Sequence, residues 1–157
     1  ANCEKMLRIA PRDSAVAVTA WSMMGDVYHL MNDTPKAYKA YDNVLKIAPG
    51  YAPVLNNYAY YLSEEGKKLK KAYAMSKKTV EAEPDNATYL DTFGWILYLQ
   101  GKALEAKPFF KHAMLYGGKD SATILNHYAA VLEALGENDL AKVYRQQAKN
   151  KAAEGQE

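Results

Sequence analysis

The residues that most often do chemistry are few and scattered in this sequence. The three histidines, His29, His112 and His127, stand far apart, and none belongs to an H-x-x-x-H or H-E-x-x-H pattern that would place two metal ligands on one helix face. The single cysteine, Cys3, lies on an apolar helix stripe and is interpreted as a packing residue. The sequence therefore predicts no catalytic residue, no metal site and no cofactor, and it favours a protein that is not an enzyme.

Charge and hydropathy exclude two further classes of function. The 157 residues include 20 Lys and Arg against 18 Asp and Glu, a net charge of +2 that is too balanced to predict nucleic-acid binding. No apolar run approaches the roughly 20 residues that a membrane-spanning helix needs. Residues 67–71 include four lysines. They can be interpreted as an anion-binding patch or as a solvated helix face, and the solvated face is the preferred interpretation.

The apolar residues repeat at helical spacing, which predicts paired helices. The first stripe, on a helix termed A, occupies positions i, i+3, i+4 and i+7 and consists of Trp21, Met24, Gly25 and Tyr28. Gly25 is informative because its bare Cα lets a second helix approach closely. That second helix, termed B, is predicted from the stripe in residues 37–45, and Pro49-Gly50 ends it.

The same pair recurs three more times along the chain. The close-approach position holds a small residue in every unit: Gly25, Ala59, Gly94 and Ala129. The units begin, in steps of 34, 35 and 35 residues, near Val18, Ala52, Ala87 and Ala122. One such pair leaves apolar faces uncovered, so it needs neighbouring pairs on either side.

This arrangement resembles the tetratricopeptide repeat (TPR), whose pattern W-x-x-L-G-x-x-Y, A-x-x-x-F and P has a period of 34 residues. The first unit reads W-x-x-M-G-x-x-Y over residues 21–28, A-x-x-x-Y over 37–41, and then Pro49. The resemblance covers nearly the whole chain. It implies an all-α fold, a TPR α-solenoid in which antiparallel helix pairs form a right-handed superhelix.

The register divides the chain into successive segments. They are 1–17, the helix B remnant of a preceding repeat; 18–51, 52–86 and 87–121, three complete repeats; 122–151, a fourth repeat with a C-terminal capping helix; and 152–157, a disordered tail. We expect residues 2–10 to form a helix with part of its apolar face unprotected, in a protein that extends further N-terminally. Pro108 is predicted to kink helix B of the third repeat or to make its first turn irregular.

In the TPR family the A helices line a concave groove that binds peptides, so the resemblance implies such a groove here. The candidate peptide-binding residues in this register are Asn56, Asn57, Tyr60, Asp91, Trp95, Tyr98, Asn126 and His127. The aromatic residues would form a floor flanked by amide groups, with a neutral or mildly basic segment bound near Asp26, Asp91 and Glu133. The alternative is that Trp95 and Tyr98 only pack against the next A helix.

The inward positions contain no Lys or Arg. TPR cochaperones use a lysine, arginine and asparagine clamp for the C-terminal carboxylate of chaperone tails, so the resemblance argues against that activity. The main hypothesis is a protein-interaction scaffold for a protein or peptide partner. The alternatives are a self-association module acting through the N-terminal helix and convex face, and a regulatory fragment of a larger enzyme.

Residues 83–95 read EPDNATYLDTFGW, which is similar to a run common in bacterial TPR proteins, several of them envelope lipoproteins. The resemblance implies a fragment of a bacterial TPR-repeat protein. A cytoplasmic location, a periplasmic location and an envelope lipoprotein all stay open.

Overall fold

The computed structural model describes residues 3–5 and 13–155, and within these ranges it contains helices and turns but no strand. The α-helices are α1 (Ser14–Leu30), α2 (Thr34–Ile47), α3 (Ala52–Glu64), α4 (Leu69–Ala82), α5 (Ala87–Leu99), α6 (Ala103–Leu115), α7 (Ala122–Ala134) and α8 (Asn138–Glu154). A short 3₁₀ helix, Gly118–Asp120, precedes α7. Residues 3–5 are helical, while the rest of the helix predicted over 2–10 lies outside the described residues.

Side-chain caps fix where several of these helices begin. Asp13 accepts hydrogen bonds from the backbone N–H groups of Ala15 and Val16 at 3.0 and 3.3 Å, which starts α1 at Ser14. Residues 14–17 therefore belong to α1, ahead of the predicted boundary at Val18. Asn86 caps α5 in the same way through the N–H of Tyr89, at 3.1 Å.

The chain divides into two compact units, residues 1–58 and 59–157. In the first unit α1 packs against α2. Tyr41 is fully buried, and Cε1 of its ring lies too close to Gly25 for a Cβ to fit there. The Tyr41 hydroxyl donates a hydrogen bond to the carboxylate of Asp26. The missing side chain of Gly25 therefore leaves the space that the Tyr41 ring occupies.

The second unit contains α5 paired with α6 and α7 paired with α8. Its core is continuous across these four helices. The largest fully buried side chains there are Ile96, Phe110, Leu125, Val131 and Leu132. Aromatic contacts extend the core to α4, since the ring of Tyr73 lies 5.2 Å from that of Phe93. Apolar burial on this scale is the main stabilising term for such a unit.

Pro108 does not interrupt α6, which runs as an α-helix from Ala103 to Leu115. The expected irregular first turn is therefore absent, and a kink at Pro108 stays a prediction. Proline has no N–H, so the carbonyl oxygen of Leu104 lacks the donor that an α-helix supplies four residues later. The Pro108 side chain is exposed, so its ring faces solvent instead of a neighbouring helix.

The last helix continues beyond the predicted start of the disordered tail. Residues 152–154 form the final turn of α8, which ends at Glu154. Lys151 donates a hydrogen bond to Glu154 at 3.1 Å, an i,i+3 pair that supports this turn. The prediction of disorder is thus wrong for residues 152–154, and residues 156–157 lie outside the described part of the chain.

Tyr128 should make the protein sensitive to alkali. Burial, the neighbouring Tyr144 and the charge of Glu137 raise its pKa to about 12, whereas a tyrosine in an unfolded chain has a pKa of about 10. The stability that this shift contributes is complete below pH 10 and is lost as the pH rises through 12. Between pH 10 and pH 12 the free energy of unfolding, measured by urea titration, should decrease less steeply with pH in Tyr128→Phe than in the wild type. Tyr116→Phe, at an exposed position, is the control; equal slopes for the two variants would contradict the prediction.

Candidate functional site

Six of the eight predicted peptide-binding residues belong to the second unit. Asp91, Trp95 and Tyr98 stand at i, i+4 and i+7 on α5, so they share one face of that helix. The other three are Tyr60, in the part of α3 that belongs to this unit, and Asn126 and His127 on α7. We term the surface formed by Tyr60, Asp91, Trp95, Tyr98 and His127 the Trp95 surface.

Asp91 and His127 pair with each other across α5 and α7. The Nδ1 atom of His127 lies 2.8 Å from Oδ1 of Asp91, and their side chains are only 13% and 8% exposed. A carboxylate at this distance fixes both the tautomer and the orientation of the ring. The two residues therefore act as a support between helices, with little of either left for a ligand to contact.

Three aromatic rings are stacked next to this pair. The centroids of Trp95 and His127 lie 3.9 Å apart with an interplanar angle of 17°, and those of Trp95 and Tyr98 lie 4.8 Å apart at 26°. Trp95 and Tyr98 pack against the core but stay half-buried. The contact with His127 is the packing on the next A helix that the sequence left as an alternative. The accessible parts of the two rings form an aromatic surface beside it.

Tyr60 adds a hydroxyl group that stays protonated. Burial, a hydrogen bond to Glu64, and the charges of Glu64 and Asp91 all raise its pKa well above the usual value. The hydroxyl therefore donates to the Glu64 carboxylate at ordinary pH. The ring itself is half-buried and leaves some area accessible to a partner.

Asn126 is held by Arg145, a residue outside the predicted site. Nη1 of Arg145 donates to Oδ1 and to the backbone carbonyl oxygen of Asn126, at 3.2 and 3.3 Å. Nε and Nη2 donate to the two carboxylate oxygens of Glu133 at 3.0 and 3.2 Å. The hydrogen bond from Arg145 lowers the pKa of Glu133. We term these residues, Asn126, Glu133 and Arg145, the Arg145 cluster. Their polar groups are thus already hydrogen-bonded to one another within the protein.

One sequence signal could have found Arg145. It follows Ala129 by 16 residues, the offset that separates Gly25 from Tyr41 and Gly94 from Phe110. Helix B residues at this offset are directed towards helix A. An arginine side chain at this offset is long enough to reach polar groups on helix A. Because Arg145 lies on the terminal helix, the sequence indicated only a solvated cap.

The other two predicted residues, Asn56 and Asn57, belong to the first unit. Asn57 donates from Nδ2 to Oδ1 of Asp26 at 3.4 Å. Asn56 is 7% exposed, and its Oδ1 atom has no hydrogen-bond partner among the described residues. Whether the two amides act together with the Trp95 surface stays a prediction.

Residues 3–5 and 13–155 contain neither a metal site nor a membrane-spanning helix. That part of the chain has no group of three or more His, Cys, Asp or Glu side chains arranged to hold a metal ion. It also has no helix whose length and apolar character would let it cross a lipid bilayer.

Comparison with known proteins identifies the fold. No family model and no curated protein matches the sequence. Among solved structures, "Functional Characterization of Pseudomonas Aeruginosa pilF" matches with a TM-score of 0.76 and 20% identity, over 95% of this chain and 65% of that one. PilW, described as a widely conserved type IV pilus biogenesis factor, gives 0.78 and 19%, over 94% of this chain and 67% of that one. A structure of MamA gives 0.74 and 13%, over 98% and 86%.

These neighbours are helical repeat proteins of the TPR type. At such identities the likeness is one of fold. It confirms the predicted all-α fold built from TPR-like helix pairs.

Proposed function

We propose that this chain is a non-enzymatic protein-interaction module that binds an extended partner segment on the Trp95 surface. One observation carries the proposal: Tyr98, Trp95 and His127 form a continuous ring stack, in which Trp95 and Tyr98 are half-buried and His127 is hydrogen-bonded to Asp91. Such a stack offers a large contact area, and its side chains have already lost their conformational entropy on folding. Preorganised aromatic side chains of this kind are typical of the residues that dominate binding energy.

The hydrogen bonds within the site bear on which segment would bind. A neutral or mildly basic segment was expected near Asp26, Asp91 and Glu133. Asp91 is already hydrogen-bonded to His127, and Glu133 is already paired with Arg145. Glu64 is exposed and accepts the Tyr60 hydroxyl. We therefore propose an uncharged segment with an aromatic or aliphatic side chain that stacks on Trp95, instead of a basic one.

The fold supports the class of function but not its details. Stacked helix pairs present long side-chain surfaces, and such solenoids bind partners far more often than they catalyse reactions. The neighbouring structures share this architecture, which supports the general role of a protein-interaction scaffold.

Trp95→Ala should weaken partner binding about tenfold or more, because it removes the central ring of the stack. The measurement starts from a displayed library of random 12-residue peptides, selected on the wild-type protein. Dissociation constants of the selected peptides are then compared for wild type and variant by fluorescence anisotropy. Circular dichroism verifies that the variant is folded at the assay temperature.

Tyr116→Ala is the matched control, since it removes an aromatic ring that is 49% exposed at the end of α6. It should leave the dissociation constants unchanged. If selected peptides bind Trp95→Ala as tightly as wild type, the site is not on the Trp95 surface. If no peptide is enriched, the proposal of an extended segment fails.

A further inference from the structure

A stripe of exposed and largely apolar side chains runs along one face of α6. Leu104, Pro108, Lys111 and Leu115 stand at i, i+4, i+7 and i+11, so they line one side of the helix. Leu104 and Leu115 are 74% and 78% exposed, a larger fraction than for most leucines of a folded domain. Together with Lys107 and His112 they border a furrow of about 590 Å³.

The basic side chains along this furrow differ in whether a carboxylate already lies next to them. Lys107 donates to both carboxylate oxygens of Glu137 at 2.9 and 2.7 Å. His112 lies 2.8 Å from the carboxylate of Asp85. Lys111 is exposed at the middle of the stripe, and no acidic side chain of residues 3–5 or 13–155 lies within ion-pair distance of it. The furrow thus presents two leucines with one unneutralised cation between them.

We propose that the α6 stripe docks an acidic amphipathic helix of a partner protein. Leu104 and Leu115 are 11 residues apart, which corresponds to about 16 Å along the helix axis and to about three helical turns of a partner. Apolar residues near the two ends of those turns would cover the leucines. A glutamate or aspartate between them would pair with Lys111. Pro108 gives the centre of the stripe a rigid side chain that loses no rotamer freedom on binding.

Two other occupants fit the stripe less well. A second copy of the chain, packed through the same face, would place two Lys111 ammonium groups near each other at the centre of the contact, which is unfavourable. An anionic lipid surface gains only about 1 kcal/mol per nearby lysine, so one free cation and two leucines give weak adhesion. A helix with acidic and apolar residues at matched spacing satisfies both features of the stripe.

The test uses a synthetic 18-residue helical peptide with leucines at i, i+4, i+7 and i+11 and glutamates flanking them. A second peptide carries lysine in place of every glutamate. By isothermal titration calorimetry we expect the wild-type chain to bind the acidic peptide at least tenfold more tightly than the basic one. Leu104→Asp/Leu115→Asp should weaken binding of the acidic peptide at least tenfold, and Lys111→Glu should reverse the preference between the peptides.

Matched controls separate this surface from the rest of the molecule. Leu30→Asp alters a leucine that is 81% exposed in the first unit and should leave binding unchanged. The variants of this test alter no residue of the Trp95 surface, so failure here is distinct from failure of the proposed peptide site. The two stripe leucines are exposed, so the double variant should keep the wild-type melting temperature.

Several outcomes would overturn the proposal. In the first, the acidic peptide shows no saturable binding up to about 1 mM; in the second, both peptides bind equally well. Unchanged affinity of the double variant for the acidic peptide would also overturn it. Sedimentation with phosphatidylglycerol vesicles that is lost in the double variant, without peptide binding, would assign the stripe to a lipid surface. Concentration-dependent dimerisation lost in that variant, by light scattering, would assign it to a second copy.

Discussion

Replacing Phe110 by alanine should lower the free energy of unfolding by about 3–5 kcal/mol, the range for truncating a fully buried phenylalanine. The ring has no exposed area and lies nearly parallel to that of Tyr128, with centroids 5.7 Å apart. It connects α6 both to α5 and to α7, so a cavity there removes contacts from two helix pairs. Urea unfolding followed by circular dichroism measures the loss, with the slope against denaturant as a check on two-state behaviour.

The prediction becomes sharper when Gly94 is changed in the same experiment. A Cβ at position 94 would lie 2.7 Å from Cε2 of Phe110, so Gly94→Ala overpacks this contact in the wild type. We expect the single change to cost about 1–3 kcal/mol, although alanine is the better helix former by about 1 kcal/mol. With Phe110 already replaced by alanine, Gly94→Ala should be neutral or stabilising.

The double variant therefore distinguishes two explanations of the glycine. If Gly94→Ala costs the same with and without the phenylalanine ring, the two changes are additive and the glycine is not a response to Phe110. The opposite sign in the two backgrounds would show that the ring determines the residue at position 94. Gly25 and Tyr41 make the same contact in the first unit and provide an independent repetition.

The repeat pattern was predictable because it depends on residue size at fixed offsets. Small residues at positions 25, 59, 94 and 129 indicated close helix pairs. The repeat pattern alone does not state how the size of each depends on its partner 16 residues later. Glycine stands opposite the aromatic rings of Tyr41 and Phe110, whereas alanine precedes Met75 and Arg145 at this offset. Flexible side chains can leave room for a methyl group that a rigid ring cannot.

The contacts of the candidate site were less predictable. A family register states which positions face inward, but it does not state whether two inward polar groups bind each other. Asp91 and His127 lie 36 residues apart in sequence, and their pairing depends on the distance between α5 and α7. Buried polar groups take whatever partner is within reach, because leaving one unpaired costs about 1–3 kcal/mol.

Asp91→Ala should lower the free energy of unfolding by about 1–3 kcal/mol, the penalty for leaving a buried polar group unpaired. The change leaves the 13%-exposed side chain of His127 without its carboxylate. His127→Ala should cost less than this in the Asp91→Ala background than in the wild type. A double-mutant cycle by urea unfolding gives the coupling energy, expected at about 1.5–3 kcal/mol.

The effect on Trp95 decides whether Asp91 is a positioning residue or only a stabilising one. The His127 ring lies 3.9 Å from the Trp95 ring, so a histidine that loses its carboxylate should alter the surroundings of the indole. In a Trp21→Phe background, where Trp95 is the one remaining tryptophan, Asp91→Ala should shift the emission of the folded protein. Asp91→Glu tests whether a longer carboxylate restores both emission and peptide affinity. A stability loss with unchanged emission and unchanged affinity would mean that Trp95 is held by α5 packing alone, and that the Asp91–His127 pair joins the helices without shaping the surface.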